Sequence, residues 1–512
     1  MTKLKSAKDI AYEIPDYSVI ALVGFGGMGQ CDEILFELGK RFLETGKPEN
    51  LTIFHTAGQS GRKNGIEYIA YEKLIAKIIG GHWGLAPKLS KLIEENKVIC
   101  HCWPQGQLTH YLRALACGSM GQISKVGLKT FVDPRFEGGR INDAAKGEDS
   151  LIDLIQINSE EMLLYKKVKL DYIFIRGTSI DSLGNLSCEE EALKLEILSG
   201  AQAVKASGGK VIVQAKYLCQ PNSLHPKDVI VPEYLVDSIV ICQNPDEFHK
   251  QTPGTVYSPF YNGNTKVPLQ AVDNLDFSIK KIIGRRAIKE INDKVVVNIG
   301  IGVPGDVIGP IIAEEGLSEN VILTLESGVV GGVPIGGNEF GVAKNPTTIM
   351  DHEYLFDYYH GTGVDITFMG AAEIDVSGSV NVSKFGDRII GCGGFIDITQ
   401  SAKSIVYCST FTSGGLEAIV ENNELKIISE GKNKKFVSGV KHVTYSGEYG
   451  AEMKQRVVYV TERAVFKLVA DGLELIEIAP GIDLQKDILD LMDFKPLISK
   501  DLKQMEADLF LN

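Results

Sequence analysis

Short apolar runs alternate with helical spacing along most of the chain. Val19-Ile-Ala-Leu-Val23 is apolar throughout and closes on Gly24-Phe-Gly-Gly-Met-Gly29, which predicts a buried strand and a tight turn. Behind it Ile34, Leu35, Leu38, Phe42 and Leu43 recur at helical intervals, so residues 32–43 predict a helix with one apolar face. Residues 51–54, 98–102, 126–131, 172–175 and 211–214 predict further strands. These runs are continuous rather than alternating, as strands covered on both faces are, and helical patterns stand between them. The order predicts βαβ units and mainly parallel sheets.

The rhythm breaks at Gln243-Asn-Pro-Asp-Glu-Phe-His-Lys-Gln-Thr-Pro-Gly254 and stays loop-like through Asn262-Gly-Asn-Thr-Lys-Val-Pro268. It restarts with a helix over 279–292 and a strand that runs into Asn298-Ile-Gly-Ile-Gly302. Three parts follow: an N-terminal α/β domain over 1–242, a linker over 243–276 and a C-terminal α/β domain over 277–512. The halves repeat one another. Leu22-Val-Gly-Phe-Gly26 answers Asn298-Ile-Gly-Ile-Gly302. Further on, Asp171/Asp365, Phe174/Phe368, Ile180/Ile374, Asp181/Asp375 and Gly184/Gly378 coincide without gaps. Between these matches, Val98-Ile-Cys-His-Cys-Trp-Pro-Gln-Gly106 falls opposite Val321-Ile-Leu-Thr-Leu-Glu-Ser-Gly328, which makes Gln105 the counterpart of Glu326. The fold class is therefore α/β: two similar open domains with mainly parallel sheets, related by internal duplication. If they pack about a pseudo-twofold axis, Gln105 and Glu326 point into one shared cleft.

Composition narrows the class. The 512 residues are too many for one core. A content of 44% hydrophobic and 23% charged residues fits a globular protein in water. The formal net charge of -13 argues against a nucleic-acid surface. No stretch is apolar for long enough to span a membrane, and Met1-Thr-Lys-Leu-Lys-Ser-Ala-Lys-Asp9 has no signal-peptide core. The 9 cysteines are scattered through apolar runs, which points to reduced thiols and a cytoplasmic setting.

The candidate chemistry gathers at one carboxylate. Val321 to Leu325 reads as a buried parallel strand, and Glu326 ends it. Chemistry in open α/β sheets collects beyond the carboxyl ends of strands, and Gly328, Gly331 and Gly332 leave room there for a ligand or a second backbone. The competing signals are weaker. Gly24-Phe-Gly-Gly lacks the third glycine of a dinucleotide fingerprint, and no acidic residue closes the next strand. Cys100-His-Cys102 has the wrong spacing for a zinc knuckle, and on a strand His101 points away from both cysteines. No P-loop, G-x-S-x-G or H-E-x-x-H occurs. The four glycines of Gly386-Asp-Arg-Ile-Ile-Gly-Cys-Gly-Gly394 make a turn or present N–H groups to an oxyanion. Lys281, Arg285 and Arg286 share one helix, most simply as a solvated basic face.

Taken together, Glu326-Ser-Gly-Val-Val-Gly-Gly-Val-Pro-Ile-Gly-Gly337, Ser383-Lys-Phe-Gly-Asp-Arg-Ile-Ile-Gly-Cys-Gly-Gly-Phe395, Pro104-Gln-Gly106, Gly81-His-Trp83, Phe131-Val-Asp-Pro-Arg135 and Ile478-Ala-Pro-Gly-Ile-Asp-Leu-Gln485 resemble the class I coenzyme A-transferases, propionate CoA-transferase type. The resemblance covers essentially the entire chain. It implies transfer of coenzyme A from a short-chain acyl-CoA to a free acid such as acetate, propionate or lactate, in ping-pong fashion. It assigns Glu326 as nucleophile, and Gln105 with a backbone N–H of Gly393 or Gly394 as oxyanion donors. It implies coenzyme A contacts at Gly300, Gly302, Gly328, Gly331 and Gly391. It puts the acyl group near Gly24, Phe25, Gly26 and Gly27, although this loop departs from the family's less glycine-rich segment. No cofactor or metal beyond the substrate coenzyme A is implied, and no membrane or nucleic acid. The partners implied are acyl-CoA, a carboxylate and further copies of the chain, a homo-oligomer of four by resemblance. The rival readings are an acyl-CoA hydrolase using the same glutamate and a non-catalytic binding protein on this fold.

Overall fold

All but one of the apolar runs become strands that start within a residue of the predicted places, and those at Tyr172–Asp181 and Lys210–Cys219 run several residues further than predicted. The computed structural model describes residues 3–268, 275–292 and 294–511; positions 269–274 of the expected linker lie outside the described residues. Two compact units result, and their partition differs from the division read off the composition. Unit 1 holds the chain up to Val267 together with Glu326–Asp357 and Lys384–Asp397, and unit 2 holds the remaining described residues. Glu326 and the glycine loop at 391–394 thus belong to the same unit as Gln105.

In unit 1 the elements in chain order are β1 (Val19–Leu22), α1 (Asp32–Thr45), β2 (Leu51–His55), β3 (Ile75–Gly80), β4 (Ile99–Cys102), α2 (Gln105–Ala116), β5 (Tyr172–Asp181), α3 (Ile197–Ala206), β6 (Lys210–Cys219) and β7 (Ser238–Ile241). The strands lie in the order β7-β6-β5-β1-β2-β3-β4 and every pairing along this path is parallel. Residues of β1, β2, β5 and β6 fill the core, with Ile20, Ile53, Phe54, Ile173, Ile175, Val211 and Val213 all buried. Strand order reverses between β1 and β5, the kind of switch point where open sheets bind ligands. The apolar run at 126–131 is not a strand. Gly127 and Lys129 take left-handed φ values of 104° and 60°, and the Asp133 carboxylate accepts from the N–H groups of Lys129 and Arg135, both at 3.0 Å, winding the segment into turns.

In unit 2, α4 (Ile279–Ile288) is followed by β8 (Val295–Ile299), α5 (Val303–Glu314), β9 (Val321–Leu325), β10 (Ile366–Met369), β11 (Ser404–Cys408), β12 (Arg456–Val460), β13 (Ala464–Val469), β14 (Gly472–Ile478) and β15 (Leu497–Gln504). The sheet runs β9-β8-β10-β11-β12-β13-β14-β15. Its β9 to β12 part is parallel and repeats the β2-β1-β5-β6-β7 order of unit 1. The bases of α4 are not a solvated face: Lys281 pairs with Glu314 at 2.8 Å, and Arg286 with Glu477 at 2.7 Å and Glu290 at 2.8 Å. Asn298 donates to the Tyr359 hydroxyl (3.2 Å), which donates to Thr324 Oγ1 (2.9 Å), which donates to the Val297 carbonyl (2.9 Å). This chain fixes the end of β9. Among the described residues no helix is long and apolar enough to cross a membrane.

The repeat is real in topology but shifted in register. Leu22 pairs with both Phe174 and His55, and Ile299 pairs with Phe368 while Asn298 pairs with Thr324. The strand that matches β9 is therefore β2, and the residue that matches Glu326 is Thr56. Gln105 follows β4 at the far edge of its sheet and is not the counterpart of Glu326. The sequence match failed there because both segments are short apolar runs ending in a glycine turn, and such runs carry little register information.

Candidate active site

The site is built around the N-terminus of α2. The first N–H groups of a helix have no partner within it, and Pro104 supplies no side-chain cap. Here the 391–397 segment provides the acceptors. The Gln105 N–H donates to the Gly393 carbonyl at 2.9 Å. The Gly106 N–H donates to Asp397 Oδ2 at 2.9 Å, and Gln107 Nε2 to Asp397 Oδ1 at 3.1 Å. A carboxylate at a helix N-terminus also meets the favourable end of the dipole. Only a glycine allows this approach: a Cβ on Gly106 would lie 2.5 Å from the Phe356 ring and 2.7 Å from Asp397 Oδ1.

The same loop is laced to residues 81–83. The Trp83 N–H donates to the Ile390 carbonyl at 2.7 Å and the Gly393 N–H to the Gly81 carbonyl at 2.8 Å. Gly391 bridges His82. Its φ is 90°, and a Cβ would meet the Gly81 carbonyl at 2.5 Å. Of the two N–H groups nominated for an oxyanion, that of Gly393 is thus already engaged. That of Gly394 makes no hydrogen bond among the described residues.

The Gln105 side chain is 2% exposed, and its Nε2 lies 2.9 Å from Nε2 of His352. His352 Nδ1 lies 2.7 Å from Glu196 Oε2, and Thr56 donates to the other oxygen of Glu196. Phe25 sets its ring edge-on to the His352 imidazole at 5.9 Å, so the first glycine loop does reach this place. The loop is held by Gln59, whose amide donates to the Gly24 carbonyl at 2.8 Å, and by the paired backbones of Phe25 and Met28.

Glu326 opens the second segment of unit 1 and is 8% exposed. Its carboxylate makes no hydrogen bond or ion pair among the described residues. Burial raises its pKa from 4.5 to about 7; the neighbouring His352 works against the rise and Asp397 adds to it. The next residue is pinned, with Ser327 Oγ donating to the Gly341 carbonyl at 2.5 Å. Buried carboxylates are ordinarily paired, so one kept dry and unpartnered is a candidate reactive group. The nearby thiols do not compete. Cys102 and Cys392 face each other at 3.7 Å, and burial pushes the Cys392 thiol well above its ordinary range, far from the thiolate a nucleophile needs.

The family model for coenzyme A transferase matches residues 3–241. The caffeate CoA-transferase of Acetobacterium woodii is 43% identical over 516 residues, spanning 100% of this chain and 98% of that protein. The chain belongs to the coenzyme A transferase family. The acetate CoA-transferase YdiF of Escherichia coli K12 is 40% identical, over 99% of this chain and 95% of its own length. The crystal structure of the acyl-CoA transferase YdiF apoenzyme from Escherichia coli O157:H7 superposes with a TM-score of 0.94 at 39% identity, covering 100% of this chain and 96% of that one. A second YdiF structure, a thioester complex with CoA, gives 0.92.

The remaining nominated residues of the transferase fall in three places. Gly24, Phe25, Gly26 and Gly27 form the turn after β1. Gly328 and Gly331 stand in close backbone passages: a Cβ on Gly328 would lie 2.2 Å from the Met350 carbonyl, and one on Gly331 would lie 2.5 Å from Thr347 Oγ1. Gly300 and Gly302 belong to unit 2, in the turn that starts α5, where Gly302 is the N-cap. Sequence reasoning missed His352, Glu196 and Thr56 entirely. They are far apart in the chain and form no local motif; only the Glu326/Thr56 register of the repeat could have pointed to one of them. Asp397 stands two residues past the Ser383–Phe395 motif, whose glycines drew the attention instead.

Proposed function

We propose that this transferase moves coenzyme A from a short-chain acyl-CoA to a free carboxylate through a covalent thioester on Glu326. The observation that carries the reading is the buried, unpartnered Glu326 carboxylate. Desolvation strengthens it as a nucleophile, and its raised pKa leaves a substantial ionised fraction near neutral pH. A Glu326 oxygen attacks the thioester carbonyl, the C–S bond breaks, and CoA leaves as thiolate from a mixed anhydride. The thiolate then attacks Cδ of Glu326, and the acyl group departs as a carboxylate. An acceptor carboxylate reverses both steps. No proton is gained or lost, and the thioester's free energy is retained. Each tetrahedral oxyanion needs donors in place beforehand, and the Gln105 amide with the Gly394 N–H fills that role. The names of its relatives support short-chain acids such as acetate, and an aromatic acid such as caffeate, as acceptors to test first. The reading includes a homo-oligomeric enzyme at work in the cytoplasm.

Incubating the enzyme with acetyl-CoA and no acceptor tests the proposal. A mass gain of CoA less one water is expected on the peptide that contains Glu326. Borohydride should convert the adduct to an alcohol and inactivate the enzyme, and E326Q should form none. An adduct on Cys392, or no adduct with any donor, would overturn the proposal.

A further inference from the structure

From Gln105 into the interior of unit 1 runs a chain of four buried polar side chains, Gln105 included. Thr56 and His352 are both fully buried, Glu196 is 1% exposed and Gln105 is 2% exposed. Glu196 lies at the start of α3, and both its oxygens are occupied, one by the Thr56 hydroxyl and one by His352 Nδ1 at 2.7 Å. The segments are also joined through the backbone: the His352 N–H donates to the Leu195 carbonyl at 3.2 Å. The imidazole is wedged between the rings of Phe25 at 5.9 Å and Phe356 at 5.5 Å. A carboxylate so deep in the fold, with one hydroxyl and one ring nitrogen as its partners, accepts a proton-bearing Nδ1 and holds the ring in one orientation.

This arrangement matters for a carboxamide. The two ends of Gln105 have nearly the same shape, but one donates and the other accepts. An amide left to itself can turn its oxygen toward a developing oxyanion and repel it. With the proton on Nδ1, the His352 Nε2 lone pair can only accept, so only the nitrogen end of Gln105 can sit 2.9 Å away. One N–H is spent on His352. The second N–H of the same nitrogen stays free, and the oxygen cannot replace it without breaking the bond to His352.

We infer that Glu196 and His352 are positioning residues that fix the polarity of the Gln105 amide, so that it presents N–H to the reacting carbonyl; this rests on the transfer mechanism proposed above. Glu196 acts through His352, and His352 through Gln105. Neither needs to touch the substrate. Thr56, which stands at the place of Glu326 in the repeat, completes the shell of Glu196.

The test reads the single-turnover rate of Glu326 thioester formation from acetyl-CoA. In E196Q the new amide can donate to Nδ1, which frees the ring to protonate on Nε2 and lets Gln105 turn round. The rate is expected to fall at least ~5-fold, within the roughly 10²–10³-fold cost of losing the donor outright, with KM for acetyl-CoA unchanged. E196D, which still only accepts, should recover most of the rate. In the Q105A background E196Q should have no further effect, because the two act in series. Long-range nitrogen–proton spectra of the wild-type enzyme labelled with 15N-histidine, with His352 assigned by its loss in H352N, should show the proton on Nδ1; this readout does not depend on E196Q folding. A wild-type enzyme that forms no adduct on Glu326 defeats the mechanism itself. An adduct that forms normally while E196Q keeps the full rate, while E196Q and Q105A multiply, or while Nε2 carries a proton overturns the relay and leaves the mechanism standing.

Discussion

Replacing Glu326 by Gln should stabilise the protein, and by an amount that depends on pH. The two side chains have nearly the same shape, so the packing is conserved and the difference is electrostatic. The glutamate titrates at about 7 in the fold against an ordinary 4.5, because burial disfavours its charged form. Below pH 4.5 it is protonated in both the folded and unfolded chain, and the fold carries no penalty. Between 4.5 and 7 the unfolded chain releases the proton while the folded one keeps it, so wild-type stability falls as pH rises. Above 7 the loss levels off. A rise from 4.5 to about 7, at about 1.4 kcal/mol per tenfold change in proton affinity, amounts to on the order of 3 kcal/mol. For a unit of roughly 300 residues with about 2.1 cal/mol/K of unfolding entropy per residue, that is about 5 °C in apparent Tm. Thermal melts of wild type and E326Q from pH 4.5 to 8.5 provide the measurement. The variant should melt higher at pH 8, and the gap should shrink below about 1 kcal/mol by pH 5. A gap that is constant across the range, or an E326Q less stable than wild type at pH 8, would refute the claim that Glu326 lies dry and unpaired.

Two further predictions concern single side chains. Q105A should lower kcat/KM by roughly 10²–10³-fold while leaving the melting temperature within a few degrees, and an unchanged kcat/KM in a folded variant would remove Gln105 from the oxyanion site. Burial alone would raise the pKa of Glu191, but the charge of Arg176, paired at 2.6 Å, and the bond to His249 at 3.0 Å bring it down to about 2. This lowered value stabilises the fold above pH 4.5, and the contribution is lost as pH falls through about 2; E191Q, which strands a buried guanidinium, should cost about 3–5 kcal/mol at pH 7, and a chemical-denaturation midpoint equal to wild type would count against it.

The sequence by itself determined the architecture and singled out Glu326 as the candidate nucleophile. Continuous apolar runs separated by helical spacing leave a chain little choice but a parallel sheet covered on both faces, and β1, β2, β5, β6 and β9 formed where they were predicted. Glu326 was legible because a lone carboxylate at the end of such a run, followed by glycines, is locally unusual. The run at 126–131 misled because its Gly127 and Lys129 adopt left-handed backbone, which hydrophobicity does not record. What surrounds Glu326 was decided by tertiary structure alone. The pairing of Leu22 with Phe174 and of Ile299 with Phe368 put Thr56, not Gln105, at the matching place, because register is set by which strands lie side by side. The bonds from Gln105 to His352, from His352 to Glu196 and from Gly106 to Asp397 join residues 247, 156 and 291 positions apart. No local pattern encodes such distances. They exist because the fold removes these groups from water and, once dry, each must find its partner across the chain.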